Sequence, residues 1–354
     1  MSNEKKSLVF IIGAGASKEV GLPLGFELKN KISEALDIRF DSAGYQRISG
    51  DPKIEQAFRL ITQGPNGRPG DINPHLYASW KIRDAMPQAA SIDNFLDAHR
   101  DDPLIIECGK LAIASCILEA ESKSMMRIDN SNINNTMNFK NLGETWYGDF
   151  FKFIVEGCQR QDVSEQLSKI AVITFNYDRC IEAYLHAALR NYYHTSIDET
   201  TELLSHLKIY HPYGSIGQLS WPAHHPNIEF GGSPMPHQLV GIAKELKTFT
   251  EGTNKTHSEI NEIRSLVKDG ESLVFLGFGF NKQNLDLLFE PNTLPIKVPG
   301  KIFGSAFGIS ETDCDYIAEE FETKRKYEKK RIKLNRHLSC RDFFKEYGRS
   351  LSIS

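Results

Sequence analysis

Several sets of residues in this chain have the types and spacing to do chemistry. Gly13-Ala14-Gly15-Ala16-Ser17 follows a short apolar run, Leu8 to Ile12, and precedes an amphipathic pattern. Strand, glycine turn and helix in that order expose backbone N–H groups at a helix N-terminus, which accepts a diphosphate. Asn176 and Asp178 stand where a second buried run, Ile170–Thr174, stops. An amide there holds a ribose hydroxyl or a water, and an Asp there either joins it or caps the following helix. His211 follows a third run, Leu207–Tyr210, and has the chemistry to take a proton from a hydroxyl near neutral pH. Gly277-Phe278-Gly279-Phe280-Asn281 and Gly304-Ser305 repeat the strand-to-glycine step after runs at Ser272–Leu276 and Lys301–Phe303. Glycine lets a backbone approach a ribose or phosphate closely.

The hydride-transfer fingerprint is incomplete. G-x-G-x-x-G needs a small residue at position 18, which is Lys18. Asp37 is at the right distance for a ribose carboxylate but follows a helix and not a second strand. The pattern therefore points to a nicotinamide dinucleotide held outside dehydrogenase geometry. His224, His225 and His237 lie near His211 in sequence but lack the paired helical spacing of a metal site, so no catalytic metal is expected. Ser91-Ile92-Asp93-Asn94-Phe95-Leu96 reads as a polar-capped helix start.

Positioning these groups requires strands that alternate with helices, which predicts an α/β, Rossmann-like, doubly wound parallel sheet. Ligands of such sheets bind outside the strand carboxyl ends, where the glycine turns, Asn176, Asp178 and His211 fall. A helix over Phe26–Leu36 is expected to turn Phe26, Ile32, Ala35 and Leu36 inward. Residues 40–75 read as loops around a short helix. From Pro103, Leu104, Ile105, Cys108, Leu111, Ala112, Ser115 and Leu118 mark one buried helix face. Helix returns at Trp146–Cys158, and a capping box at Thr256–Glu259 opens a helix through Val267 that Gly270 closes. Residues 1–36 and 165–315 form the expected Rossmann-like domain, 37–164 a mainly helical insertion, and 316–354 a basic helical tail.

Bulk properties narrow the classes. The 354 residues are 40% hydrophobic and 25% charged, with a net charge of −4. That balance suits a globular protein and lacks the global basic field of nonspecific nucleic-acid binders. No apolar run approaches the ~20 residues of a membrane span, and the N-terminus does not read as a signal peptide. The six cysteines form no C-x-x-C pair, which argues against a zinc ribbon and a disulfide framework and for a cytoplasmic chain with reduced thiols.

Gly13–Ser17 followed by Gly21-Leu22-Pro23, then Thr174-Phe175-Asn176-Tyr177-Asp178, then His211-x-x-Gly214-Ser215, then Gly277-Phe278-Gly279 resembles, in order, the SIR2 superfamily. Within it the chain looks like the bacterial SIR2-like NAD-cleaving domains of antiphage defence systems. The resemblance implies NAD as a substrate, hydrolysed to nicotinamide and ADP-ribose, with cellular NAD depleted during infection. It implies that Asn176 and His211 carry the reaction. It also implies NAD contacts from Gly13, Ala14, Gly15, Ala16, Ser17, Pro23, Asn176, Asp178, Gly277, Gly279, Asn281 and Ser305. A homo-oligomer and a separate partner, such as a HerA-type translocase ATPase or another phage sensor, are further expectations; no membrane and no direct nucleic-acid binding are expected. The alternatives are an NAD-dependent protein deacylase and a non-catalytic NAD- or ADP-ribose-binding subunit. Sirtuins carry Asp and Arg where Leu24, Gly25 and Phe26 follow Pro23 here, and the four-cysteine zinc ribbon is missing, both of which weaken deacylation. The family's His directly precedes Gly; here Tyr213 does, with His211 two positions earlier.

Overall fold

The computed structural model describes residues 7–129, 131, 135–219, 228–251, 257–289, 300–351 and 353. Its centre is a six-stranded sheet of β1 (Leu8–Ile12), β2 (Ile170–Thr174), β3 (Lys208–Tyr210), β4 (Ser272–Leu276), β5 (Lys301–Ser305) and β6 (Ile332–Asn335). Every neighbouring pair is parallel and the order is β3-β2-β1-β4-β5-β6. This is a doubly wound order, and it reverses direction between β1 and β4, the crevice where such sheets take ligands.

All residues of β1, β2 and β4 are buried, as strands covered on both faces must be. Successive side chains of β1 point to opposite faces. Val9 and Ile11 join a core with the helices Gly25–Leu36, Pro52–Ile61, Asn73–Ala85, Pro103–Ser122 and Pro236–Glu245. Leu8, Phe10 and Ile12 join a second core with Trp146–Val155, Cys180–Tyr193 and Cys340–Tyr347. Each such side chain contributes about 1.5–3 kcal/mol by leaving water, so the three central strands fix the frame. Register then aligns their ends: Ile12 lies opposite both Thr174 and Leu276, Ile173 opposite Tyr210, and Phe275 opposite Gly304.

Four expectations change. The helix Pro103–Ser122 is buried nearly all round, not on one face, because it runs between other helices and mean apolarity replaces amphipathicity. Phe26 is 60% exposed; the buried stripe of its helix is Leu28, Ile32 and Leu36, at strict i, i+4 spacing. Residues 40–75 hold a short antiparallel hairpin ending at Ser49 and the helix Pro52–Ile61, capped by Asp51, before Asn73–Ala85 begins. The segment 316–354 holds the end of the helix Glu311–Thr323 and the helix Cys340–Tyr347, but it is not helical throughout. It supplies edge strand β6, in which Ile332 and Leu334 alternate with Lys333 and Asn335, a charged pattern suited to a sheet edge. The proposed cap at Thr256 lies outside the described residues.

Candidate active site

At the carboxyl ends of β1 and β4 two glycine turns touch. The Gly13 N–H donates to the Leu276 carbonyl (3.0 Å) and the Gly15 N–H to the Gly277 carbonyl (3.0 Å). Gly277 has φ +56°, and a Cβ on it would stand 2.1 Å from the Ala16 nitrogen. Its N–H donates to Ser305 Oγ (3.1 Å), at the end of β5. These glycines therefore serve first to bring two strand ends into backbone contact.

Asn176 locks onto the same junction from the end of β2. Its Nδ2 donates to the Gly13 carbonyl (3.1 Å) and to Ser17 Oγ (3.0 Å), and its own N–H donates to Thr174 Oγ1 (3.2 Å). Both amide hydrogens are engaged, so Oδ1 remains as an acceptor without a partner among the described residues. Ser17 Oγ also lies 3.3 Å from the Tyr147 hydroxyl, which fixes the anchor in turn.

A cleft of about 1010 Å³ opens beside this junction. Gly13, Ala14, Gly15, Asn176, Gly277, Gly279, Asn281 and Ser305 line it. Ala16 and Ser17 stand behind that surface, as does Pro23, whose successors Leu24 and Gly25 reach the cleft at the start of a helix whose Glu27 caps the Leu24 N–H (2.8 Å). Asp178 is also behind it. Its carboxylate accepts from the Cys180 N–H (3.1 Å) at the start of a helix, and burial raises its pKa. Asp37 closes the helix Gly25–Leu36 and pairs with Arg39 (2.8 Å) and Arg83, away from the cleft.

His211 does not line the cleft. Nδ1 lies 3.0 Å from the Asn176 carbonyl, which can only accept, and Nε2 lies 2.7 Å from Glu182 Oε1. Burial alone would lower its pKa, but the Glu182 carboxylate overrides burial and raises it. Both ring nitrogens are engaged, one on the Asn176 carbonyl and one on the Glu182 carboxylate, so the ring holds the backbone of Asn176 and has no free nitrogen to act as a base. The residue next to glycine, Tyr213, is the one that reaches the cleft, with its hydroxyl donating to Asn284 Oδ1 (2.6 Å).

Sequence reasoning passed over two features. Arg179, fully buried after the Asn176 turn, pairs with buried Glu121 of the central helix (2.5 Å) and donates to the carbonyls of Ile228 (2.7 Å) and Gln218 (3.3 Å). A buried pair persists only when its remaining donors are satisfied, and here they are. Asp93 and Asn94 also line the cleft. Their helix is indeed opened by Ser91, whose Oγ accepts the Asn94 N–H (3.0 Å); the signal was a cap, and the cap also delivers a carboxylate. Among the described residues no group of three His, Cys, Asp or Glu could hold a metal ion. His224 and His225 lie outside them, and His237 is exposed at the start of a helix. Among the described residues, no helix is long and apolar enough to cross a membrane.

A doubly wound parallel sheet with paired glycine turns at its switch point and an amide locked between them defines a Rossmann-like α/β protein. Residues 170–292 match the family model of the SIR2-like domain, which supports a place in the SIR2 superfamily. A SIR2-like domain suggests NAD-related enzyme activity. The matched stretch carries Asn176, His211, Gly277 and Gly279. No curated protein matches the chain.

Proposed function

We propose that the chain is an NAD⁺ glycohydrolase that cleaves NAD⁺ to nicotinamide and ADP-ribose. The cleft volume, about 1010 Å³, is at the upper end of small-molecule sites and suits a dinucleotide. The glycine turns bring backbone to the cleft surface, where no side chain stands between ligand and main chain. Nicotinamide leaves as a neutral ring from a cationic one, so cleavage through an oxocarbenium-like state needs no acid on the leaving group. The chain's task is to hold the ribose and place a nucleophile. Asn176 does so with Oδ1, the end left open by its two bonds to the first glycine turn. His211 acts one step back, as a positioning group on the Asn176 carbonyl.

The observation that carries this reading is the tie of Asn176 to Gly13 and Ser17, which sets one amide against both the phosphate turn and the cleft. Purified protein mixed with NAD⁺ is expected to yield nicotinamide and ADP-ribose on chromatography. Asn176→Ala is expected to lower that release at least a hundredfold while its melting temperature stays within a few degrees. Binding without turnover in the wild type would instead favour an NAD or ADP-ribose sensor. The resemblance further supports a role in antiphage defence beside a separate sensing partner such as a HerA-type ATPase, with the chain as a homo-oligomer. Loss of protection in cells carrying Asn176→Ala, with the complex still assembled, is the expected result.

A further inference from the structure

We infer that Asp93 is the carboxylate that takes the proton from the attacking water, an assignment that rests on the NAD-cleavage reading. The argument begins with the ionisable groups on the cleft wall. Lys18 is paired with Glu27 (2.5 Å) and Lys282 with Asp286 (2.5 Å). Glu19 accepts two backbone N–H groups, from Trp146 (2.9 Å) and Arg341 (2.7 Å). The Cys340 thiol is pushed up to about 12 by burial and stays protonated. With His211 engaged at both nitrogens, Asp93 is the remaining cleft carboxylate with an oxygen to give.

Its placement is fixed from three sides. Oδ1 accepts the Tyr177 hydroxyl, and Tyr177 is the residue after Asn176. Besides Tyr177, the carboxylate's further donor is its own backbone N–H, and among the described residues no other residue's donor meets Oδ2. Ser91 caps the helix Ile92–Ala98, and its Leu96 packs on Gly109 of the central helix, where a Cβ would meet Leu96 Cδ2 at 2.4 Å. That glycine lets the short helix sit close, so Asp93 is held toward the cleft by packing as well as by Tyr177. The titratable groups that face it are the hydroxyls of Tyr177 and Tyr213, both raised by burial and neutral. Burial also raises Asp93, against the lowering effect of the Tyr177 donor, and a carboxylate displaced upward is a better base near neutral pH.

The step balances with water alone. The bond from the ribose C1′ to nicotinamide nitrogen breaks and its electron pair discharges the ring cation. A water oxygen bonds to C1′, and the proton it loses passes to Asp93 Oδ2 and then to solvent. One carboxylate suffices because the leaving group needs no proton.

The test compares Asp93→Asn, Tyr177→Phe and Asn176→Ala with the wild type, by nicotinamide release, NAD⁺ calorimetry and pH–rate profiles. Asp93→Asn keeps an acceptor for Tyr177; it is expected to bind NAD⁺ within about threefold of the wild type and to lose at least a hundredfold in release. Tyr177→Phe removes the donor that lowers the Asp93 pKa. The active form is the carboxylate, so release falls as pH falls through that pKa, and the acid limb of Tyr177→Phe is expected at higher pH. Wild-type release that Asn176→Ala abolishes and Asp93→Asn retains overturns this assignment and leaves the NAD-cleavage reading standing. An acid limb that stays in place in Tyr177→Phe overturns it too, and decides the matter if Asp93→Asn does not fold. A wild type that releases no nicotinamide overturns both readings.

Discussion

The cleft has one wall of main chain and one of side chains, and the two are built by different means. On the sheet side, Gly13, Gly15, Gly277 and Ser305 are joined by hydrogen bonds of 3.0–3.1 Å between strand ends. On the helical side, two separate side-chain pairs, Asp93 with Tyr177 and Tyr213 with Asn284, are carried by different loops and helices. The first wall is a consequence of register: once β1, β2 and β4 pair, their turns have nowhere else to go. The second wall depends on how helices from residues 92–122 and 282–288 pack over that edge. The lesson is that the two walls tolerate change differently.

Breaking the main-chain wall should have the largest effect. Gly277→Ala places a Cβ 2.1 Å from the Ala16 nitrogen on a backbone at φ +56°. The backbone atoms on both sides cannot yield, so a loss of about 3 kcal/mol in denaturant unfolding is expected, with NAD binding lost. Gly279→Ala is the control, since the nearest atom to its Cβ is the Asn281 side chain at 3.7 Å. It should unfold within about 0.5 kcal/mol of the wild type. Equal costs at the two positions would mean that the strand ends do not meet as described.

The same contrast explains what could be read in the sequence. Ile170–Thr174 and Ser272–Leu276 are legible to the residue because a buried parallel strand is a continuous β-branched and apolar run. The glycine turns are legible because only glycine meets the steric demand at Gly13, Gly15 and Gly277. Edge strand β6 was hidden because Ile332-Lys333-Leu334-Asn335 sits in a run of basic residues, and charge at a sheet edge looks like a solvated helix. Asp93 was hidden because Ser91 and Asp93 satisfy the local needs of a helix start, and nothing local records that the helix faces a cleft 83 residues away from Asn176. His211 misled in the other direction. Its residue type fits a base, but Glu182, supplied by the helix Cys180–Tyr193, engages the nitrogen that the Asn176 carbonyl leaves free. A shift of two positions, from His211 to Tyr213, decides which side chain reaches the cleft.

The His211–Glu182 pair should give a smaller, pH-dependent effect. Its folded-state pKa is raised, so the stability it contributes is fully present below the unfolded value of about 6.5. That contribution is lost as pH rises through the raised value. Thermal melts of the wild type minus those of His211→Gln should therefore show a difference that is largest at acid pH and shrinks toward alkaline pH. A difference that grows with pH would mean that the ring is neutral when folded, and would restore His211 as a candidate base.

The smallest effect belongs to a side chain on the main-chain wall. Phe307 follows β5, lines the cleft and is 74% exposed. An aromatic ring at the rim of a nucleotide cleft offers a flat face for a base, and stacking of that kind is worth about 1–3 kcal/mol. An open rim leaves water on one side of the ring, so the low end applies. Phe307→Ala is expected to weaken NAD⁺ binding about fivefold, equal to about 1 kcal/mol, and to leave unfolding unchanged because the ring packs little. Phe307→Trp should restore the affinity. If neither variant moves the dissociation constant, the base lies elsewhere, and the ligand is gripped by the strand-end turns alone.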